Sequence, residues 1–218
     1  MKKKILCTAV TAVLTLSLFS QSMVKTTDRI SFGIRAGINF QNINGKDAAG
    51  NTLKNDLTTG FHAGINAEVP VGDGFYLQPG ALYTVKGAEY AGDTKVKLSY
   101  IEVPVNFIYK PILGTGNLVL GFGPYVAFGM NGSIKDANGN KTDLDFGSAY
   151  NASNPATYFK SFDAGGNLLA GYEFANKFSF QLNAQLGLVN INKESQGILN
   201  DKSRWRNTGF GLSLGYRF

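Results

Sequence analysis

The 218-residue chain holds one cysteine, one histidine and a charged fraction of only 17%. Cys7 lies in the leading segment MKKKILCTAVTAVLTLSLFSQS, too early for a lipoprotein attachment site, so residues 23–218 have no thiol. A disulfide framework is excluded, and an exported chain of this kind must draw its stability from elsewhere. A long hydrophobic run is missing too. The apolar stretch from Ile5 to Phe19 is about 15 residues, short of the roughly 20 that a membrane-spanning helix needs. With Lys2, Lys3 and Lys4 before it and the small residues Ser20 and Ser22 after it, it reads as a secretory signal over residues 1–22. A short segment, 23–29, follows, and residues 30–218 form one domain. The formal charge of +6 falls to +3 once Lys2, Lys3 and Lys4 leave with the signal. No Lys/Arg cluster interleaves with aromatics on one face, which argues against a nucleic-acid partner.

What is abundant is glycine, 27 residues, and aromatic side chains, 12%. These fall into a period-two pattern, the mark of a strand with two unlike faces. Eight segments show it: 30–40, 61–69, 75–86, 100–109, 118–129, 162–174, 178–188 and 208–218. The last sets Phe210, Leu212, Leu214, Tyr216 and Phe218 against Gly209, Gly211, Ser213, Gly215 and Arg217. The joins alternate as well. Those at 70–74, 110–117 and 175–177 are short, those at 41–59, 131–158 and 192–206 are long, and 87–95 is intermediate. Short turns at one end and long loops at the other describe an all-β, eight-stranded, antiparallel up-and-down barrel of the outer-membrane kind.

Alternation alone does not say which face is inside, because a soluble ligand-carrying barrel alternates in the opposite sense. Volume decides. An eight-stranded barrel has an interior just wide enough to be filled by side chains, and the Phe- and Tyr-rich set is too bulky for it. The glycine, amide and charged set is therefore expected inside, and the apolar set faces lipid. The lumen should carry a near-balanced network of Arg35, Lys86 and Arg217 with Glu68, Glu102, Asp163 and Glu173. Aromatics gather at the strand ends as two interfacial girdles: Phe75, Tyr109, Phe174, Phe178, Tyr216 and Phe218 on the short-turn side, and Phe40, Phe61, Phe128 and Phe162 on the loop side.

The stretches LSYIEVPVNFIY (98–109), GFGPYVAFG (121–129), FKSFDAGGNLLAGYEF (159–174), LGLVNI (186–191) and GLSLGYRF (211–218) resemble the outer-membrane β-barrel domain family, the "porin family" or PorT-like proteins of Bacteroidota. Its build is similar to that of the OmpA/OmpX-type eight-stranded barrels. Ser161 departs from the basic residue the family often has there. The resemblance implies a bacterial outer-membrane location and a terminal signal, Tyr216 and Phe218, read by the barrel-assembly machinery. It implies no cofactor and no enzymatic activity.

Two constellations could carry chemistry. His62, Ser161 and Asp163 have the residue types of an acyl-transfer triad, although a lumen histidine in a polar network explains His62 as well. The stretch KDANGNKTD (135–143) offers Asp136, Asn138, Asn140 and Asp143. Its glycine falls too early for a calcium loop and position twelve is Gly147 where Glu is needed, so hairpin tips are the better account, for it and for KDAAGN (46–51). The remaining signal is the outward cations Lys97, Lys160 and Arg206 near the loop end, placed to meet lipopolysaccharide phosphates. The expected function is structural or surface interaction with an extracellular partner through the long loops, with a small-solute or ion pore as the alternative and a loop-rim enzyme as a distant third.

Overall fold

A computed structural model describes residues 29–90, 92–144, 146, 159–192 and 202–218. The expected signal, 1–22, lies outside the described residues, as do residues 23–28. The strands are β1 (Ser31–Lys46), β2 (Thr58–Gly72), β3 (Phe75–Tyr90), β4 (Thr94–Tyr109), β5 (Ile112–Leu113), β6 (Gly116–Lys135), β7 (Lys141–Leu144), β8 (Phe162–Glu173), β9 (Phe178–Gly187) and β10 (Arg204–Arg217). Each long strand pairs antiparallel with the next, and β10 pairs with β1 from Gly33↔Arg217 to Lys46↔Arg204. This closes an eight-stranded barrel and leaves no free edge along its staves. The short β5 and β7 are additions to β6.

The faces follow the alternation. Phe32, Phe122 and Leu214 are 60% or more exposed on the outer surface, while Glu68, Lys86, Glu102 and Asp163 are at most 3% exposed inside. Aromatic rings pair across strands at both ends of the apolar belt. On the loop side Phe40 stacks on Phe210 at 5.2 Å and Phe128 meets Phe162 at 5.6 Å. On the turn side Phe75 stacks on Tyr109 at 4.6 Å and Tyr216 meets Phe178 at 4.9 Å. Glycine makes room for the large interior groups: a Cβ at Gly37 would strike the His62 ring, and one at Gly165 the Tyr125 ring.

Several strands run further than their alternation suggests. The join expected at 87–95 is strand almost throughout, to Tyr90 and again from Thr94, with Gly92 and Asp93 turning at positive φ (79° and 57°). β1 continues to Lys46 and β6 to Lys135. The reason is a reversal of polarity along the staves. On β4 the outward residues are Tyr109, Phe107, Val105, Val103 and Ile101, then Ser99, Lys97 and Lys95, while the inward set changes from Asn106 and Glu102 to Tyr100, Leu98 and Val96. Below the change the strand is of the membrane type, apolar outside; above it the strand is of the soluble type, apolar inside. Leu98, Tyr100, Tyr125, Ile43, Ala127, Phe159 and Ile191 thus form a buried apolar core over the loop-side lumen. The expectation of an interior filled by glycine and polar groups is corrected to that extent, and a smaller cluster of Ile108, Val119 and Leu169 packs near the turn side.

Candidate functional site

The barrel interior is where the ionisable groups collect, and strand parity places each of them. Near the short turns Lys110 Nζ donates to Glu68 Oε2 and Glu173 Oε2, both at 2.7 Å. Arg217 Nη2 lies 2.7 Å from Glu68 Oε1, and its Nε is 3.6 Å from Glu173 Oε2. Gln78 and Asn66 complete the layer by donating to Glu68 and accepting from Arg217, respectively. Two cations face two carboxylates, the arrangement that makes burial of charge tolerable. Lys110 is not among the expected network residues, because it falls in the sequence of a turn. Continuing the inward parity of Asn106 and Ile108 by one step would have found it.

A second layer lies toward the loops. Lys86 Nζ sits 2.8 Å from Glu102 Oε2 and 3.2 Å from Asp163 Oδ2, over the Tyr125 ring at 4.1 Å. Asn207 Nδ2 (2.9 Å) and Tyr125 OH (3.3 Å) donate to Asp163 Oδ2, and Gln185 Nε2 donates to both Glu102 oxygens. Arg35 joins neither layer. Its nearest polar contact is Gln181 Oε1 at 3.3 Å, and it lines a small cavity between the layers with Glu102, Asn39 and His62.

His62 occupies that middle level. Its Nδ1 is 2.6 Å from Asn39 Oδ1 and its Nε2 is 2.7 Å from Ser213 Oγ. A ring protonated on Nδ1 alone satisfies both, donating to Asn39 and accepting from the Ser213 hydroxyl. The triad of His62, Ser161 and Asp163 is not assembled: Asp163 is engaged by Lys86, Asn207 and Tyr125, His62 by Asn39 and Ser213, and Ser161 is exposed just before β8. The substitute alignment Ser213–His62–Asn39 has hydrogen-bond geometry but no room for a substrate, because the adjoining cavity, about 30 Å³, holds little more than a water.

The two turn sequences have the same internal structure. Asp136 accepts from Asn140 N (2.8 Å) and Nδ2 (3.0 Å), and Asp47 accepts from Asn51 N (2.8 Å) and Nδ2 (3.1 Å). Hydrogen bonds from the Asn51 and Asn140 side chains, then from their backbone N–H, hold each carboxyl below its usual range. These carboxylates close turns, and among the described residues no group of three or more His, Cys, Asp or Glu is placed to hold a metal ion.

The three rim cations are spread around the barrel. Lys97 is on β4, Lys160 precedes β8 and Arg206 is on β10, four staves from β4 in either direction. At the opposite end Phe218 N donates to Phe32 O at 2.8 Å and the ring meets Tyr216 at 5.3 Å, so the residue that follows β10 is still tied to the chain beside it.

A closed antiparallel barrel with an apolar belt outside and ion pairs inside defines an integral outer-membrane β-barrel protein. The chain belongs to the outer membrane protein beta-barrel domain family, which matches residues 19–193. The match is to the barrel domain as a whole and does not reach the PorT-like subgroup. No curated protein matches the chain. Among solved structures it is similar to Neisserial surface protein A, NspA (14% identity, 88% of this chain and 100% of that one, TM-score 0.49). It is also similar to Ail, the attachment invasion locus protein of Yersinia pestis, in complex with the heparin analogue sucrose octasulfate (15%, 88% and 100%, 0.42). A third likeness is a major outer membrane protein from Thermus thermophilus (14%, 88% and 100%, 0.45). The family assignment rests on the domain match.

Proposed function

We propose that this outer-membrane barrel is a closed wall, without enzymatic activity, whose role is structural or exercised through its loops toward an extracellular partner. The observation that carries this is the pair of ion-paired layers, Lys86 with Glu102 and Asp163, and Lys110 and Arg217 with Glu68 and Glu173. Moving a solute would require breaking both; the Lys86 set is nearly solvent-free, and the turn-side set is mostly buried. A selective channel favours one sign of charge along an open path, whereas here cations and carboxylates neutralise one another. The purified protein in a planar bilayer should show no stable nanosiemens steps. Reproducible large steps that survive shortening of the long loops would replace this reading by the pore.

On the same reading the signal, residues 1–22, is removed on export and the segment 23–29 leads into the barrel. Tyr216 and Phe218 present the terminal signal to the barrel-assembly machinery, supported by the backbone hold on Phe218. Lys97, Lys160 and Arg206 meet the headgroups of the outer leaflet, lipopolysaccharide among them, as three separate contacts.

A further inference from the structure

The registers of β4, β6 and β7 place three lysines side by side. Lys95 lies opposite Lys135, and Lys135 lies opposite Lys141. Two rungs nearer the membrane, on the same face, Lys97 lies opposite Ser133, and Ser133 opposite Asp143. All four lysines are exposed on the outer surface, since the residues between them, Val96, Leu98 and Ile134, pack into the core. Like charges directly opposite one another on a sheet are destabilising. Only part of the charge is answered: Lys95 meets Glu89 at 3.1 Å and Lys141 meets Asp143 at 3.6 Å. Lys97 and Lys135 have no carboxylate partner among the described residues.

The same face is concave. A groove of about 770 Å³ runs below the lysines, with Phe61, Tyr83 and Val85 at its membrane end and Lys97, Lys141 and Asp143 at its upper end. The comparable grooves lower on the outer wall are lined by residues such as Phe75, Phe107, Leu120 and Leu186, with no lysine. Here, unlike in those two, an apolar end at girdle height continues past Ser99, Asn131 and Ser133 into a roof where Lys97 and Lys141 stand with the single carboxylate of Asp143. That is the complement of an amphiphile with an anionic head, and a phosphate bridging adjacent lysines would remove the repulsion that their register creates.

We infer that the β4–β6–β7 face is a specific site for a phosphorylated glycolipid of the outer leaflet, lipopolysaccharide. Its phosphates lie on Lys97, Lys135 and Lys141 and an acyl chain lies in the Phe61–Tyr83 groove. This deepens the reading of the rim cations given above and rests on the barrel's orientation in the outer membrane. It assigns the specific site to one side of the rim and leaves Lys46, Arg204 and Arg206, on the opposite side, as general contacts.

The test uses the full barrel in neutral detergent and measures thermal unfolding against added bisphosphorylated lipid A, dephosphorylated lipid A, phosphatidylglycerol or inorganic phosphate. Bisphosphorylated lipid A alone should raise the midpoint strongly. The triple variant Lys97→Gln, Lys135→Gln, Lys141→Gln should bind it about a hundredfold more weakly, from the loss of three cations at an anionic headgroup. Without lipid that variant should unfold at or above the wild-type midpoint, because removing repulsion is not a structural loss. The variant Lys46→Gln, Arg204→Gln, Arg206→Gln should keep the wild-type response. The inference is overturned if phosphatidylglycerol or free phosphate serves as well as lipid A. It is also overturned if the first variant keeps the response or if the second loses it equally. None of these outcomes bears on the conductance experiment, so the two readings fail separately.

Discussion

Replacing Lys86 by Met should be among the most damaging single changes that leaves the outer surface untouched. The ammonium is fully buried and touches two carboxylates, Glu102 at 2.8 Å and Asp163 at 3.2 Å. Met fills nearly the same volume, so packing against Tyr100 and Tyr125 is retained while the only cation bonded to this layer among the described residues disappears. Asp163 keeps Asn207 and Tyr125 as donors and Glu102 keeps Gln185, but neither keeps an ion pair among the described residues, and Glu102 has only Arg35 across the small cavity. Breaking a buried pair from one side costs about 3–5 kcal/mol, chiefly because the partner is left as an uncompensated charge. With a urea dependence of about 2 kcal/mol per molar, the unfolding midpoint in detergent micelles should fall by roughly 2 M. The triple change Lys86→Met, Glu102→Gln, Asp163→Asn removes all three charges and keeps amide groups for the same donors. It should return to within about 1 kcal/mol of the wild type, as neutral replacements of buried ion sets do. A Lys86→Met midpoint within experimental scatter of the wild type would refute the reasoning, as would a triple variant no better than the single one.

Deleting Phe218, or masking it with a C-terminal tag, should lower the amount of heat-modifiable folded barrel while export continues, and folded protein equal to the wild type would count against an assembly signal. Gly165→Ala should cost about 1–3 kcal/mol by overpacking against the Tyr125 ring and the Leu186 carbonyl, and an unchanged urea midpoint would show that the wall yields there. In the two loop turns, Asp47 and Asp136 have carboxyls lowered by Asn51 and Asn140, so the turns gain stability fully present above the ordinary aspartate range and lost as pH falls through the depressed folded values. Amide exchange at Asn51 and Asn140 should therefore be slow and level, after correction for intrinsic rates, until the pH drops below about 4; protection unchanged in strong acid would deny the carboxylate a part.

The membrane half of every stave was readable because two demands coincide there: lipid requires apolar groups outside, and a narrow lumen requires small or paired polar groups inside. Phe107 and Asn106, or Leu214 and Ser213, satisfy both at once. Above the belt the demands exchange, so the alternation of β4 does not stop at Tyr100; it changes sign, and a reading that follows one sign ends the strand too early. The bulge between Ser99/Tyr100 and Asn131/Gly129 hides the same continuation on β6, since skipping Met130 shifts every later residue to the other face. Site partners are harder still. Nothing in the local sequence tells that Lys86 will choose Glu102 and Asp163, 16 and 77 positions away, or that Arg35 will be left with an amide; those choices depend on the register of the closed ring. Lys110 needed only parity, and Lys135 and Lys141 needed the pairing of a strand that no alternation announced.

The reversal of polarity on the staves also sets a thickness. Between the rungs Tyr109↔Leu120 and Ile101↔Phe128 the outer wall is apolar, and eight residue steps of a strand tilted by about 40° rise roughly 20 Å. A typical barrel presents a band of about 25 Å. A wall taller than the bilayer core can lean to fit, but leaning only lowers one that is already too short. The lipid must adapt instead, and the annulus beside β4 and β6 is drawn thinner at a cost of fractions of a kcal/mol per Å. That cost falls when two thinned annuli merge, so the position of one serine, Ser99, where the wall turns from lipid to water, gives the β4 side of this barrel a preference for thin membrane and for the company of others that thin it likewise.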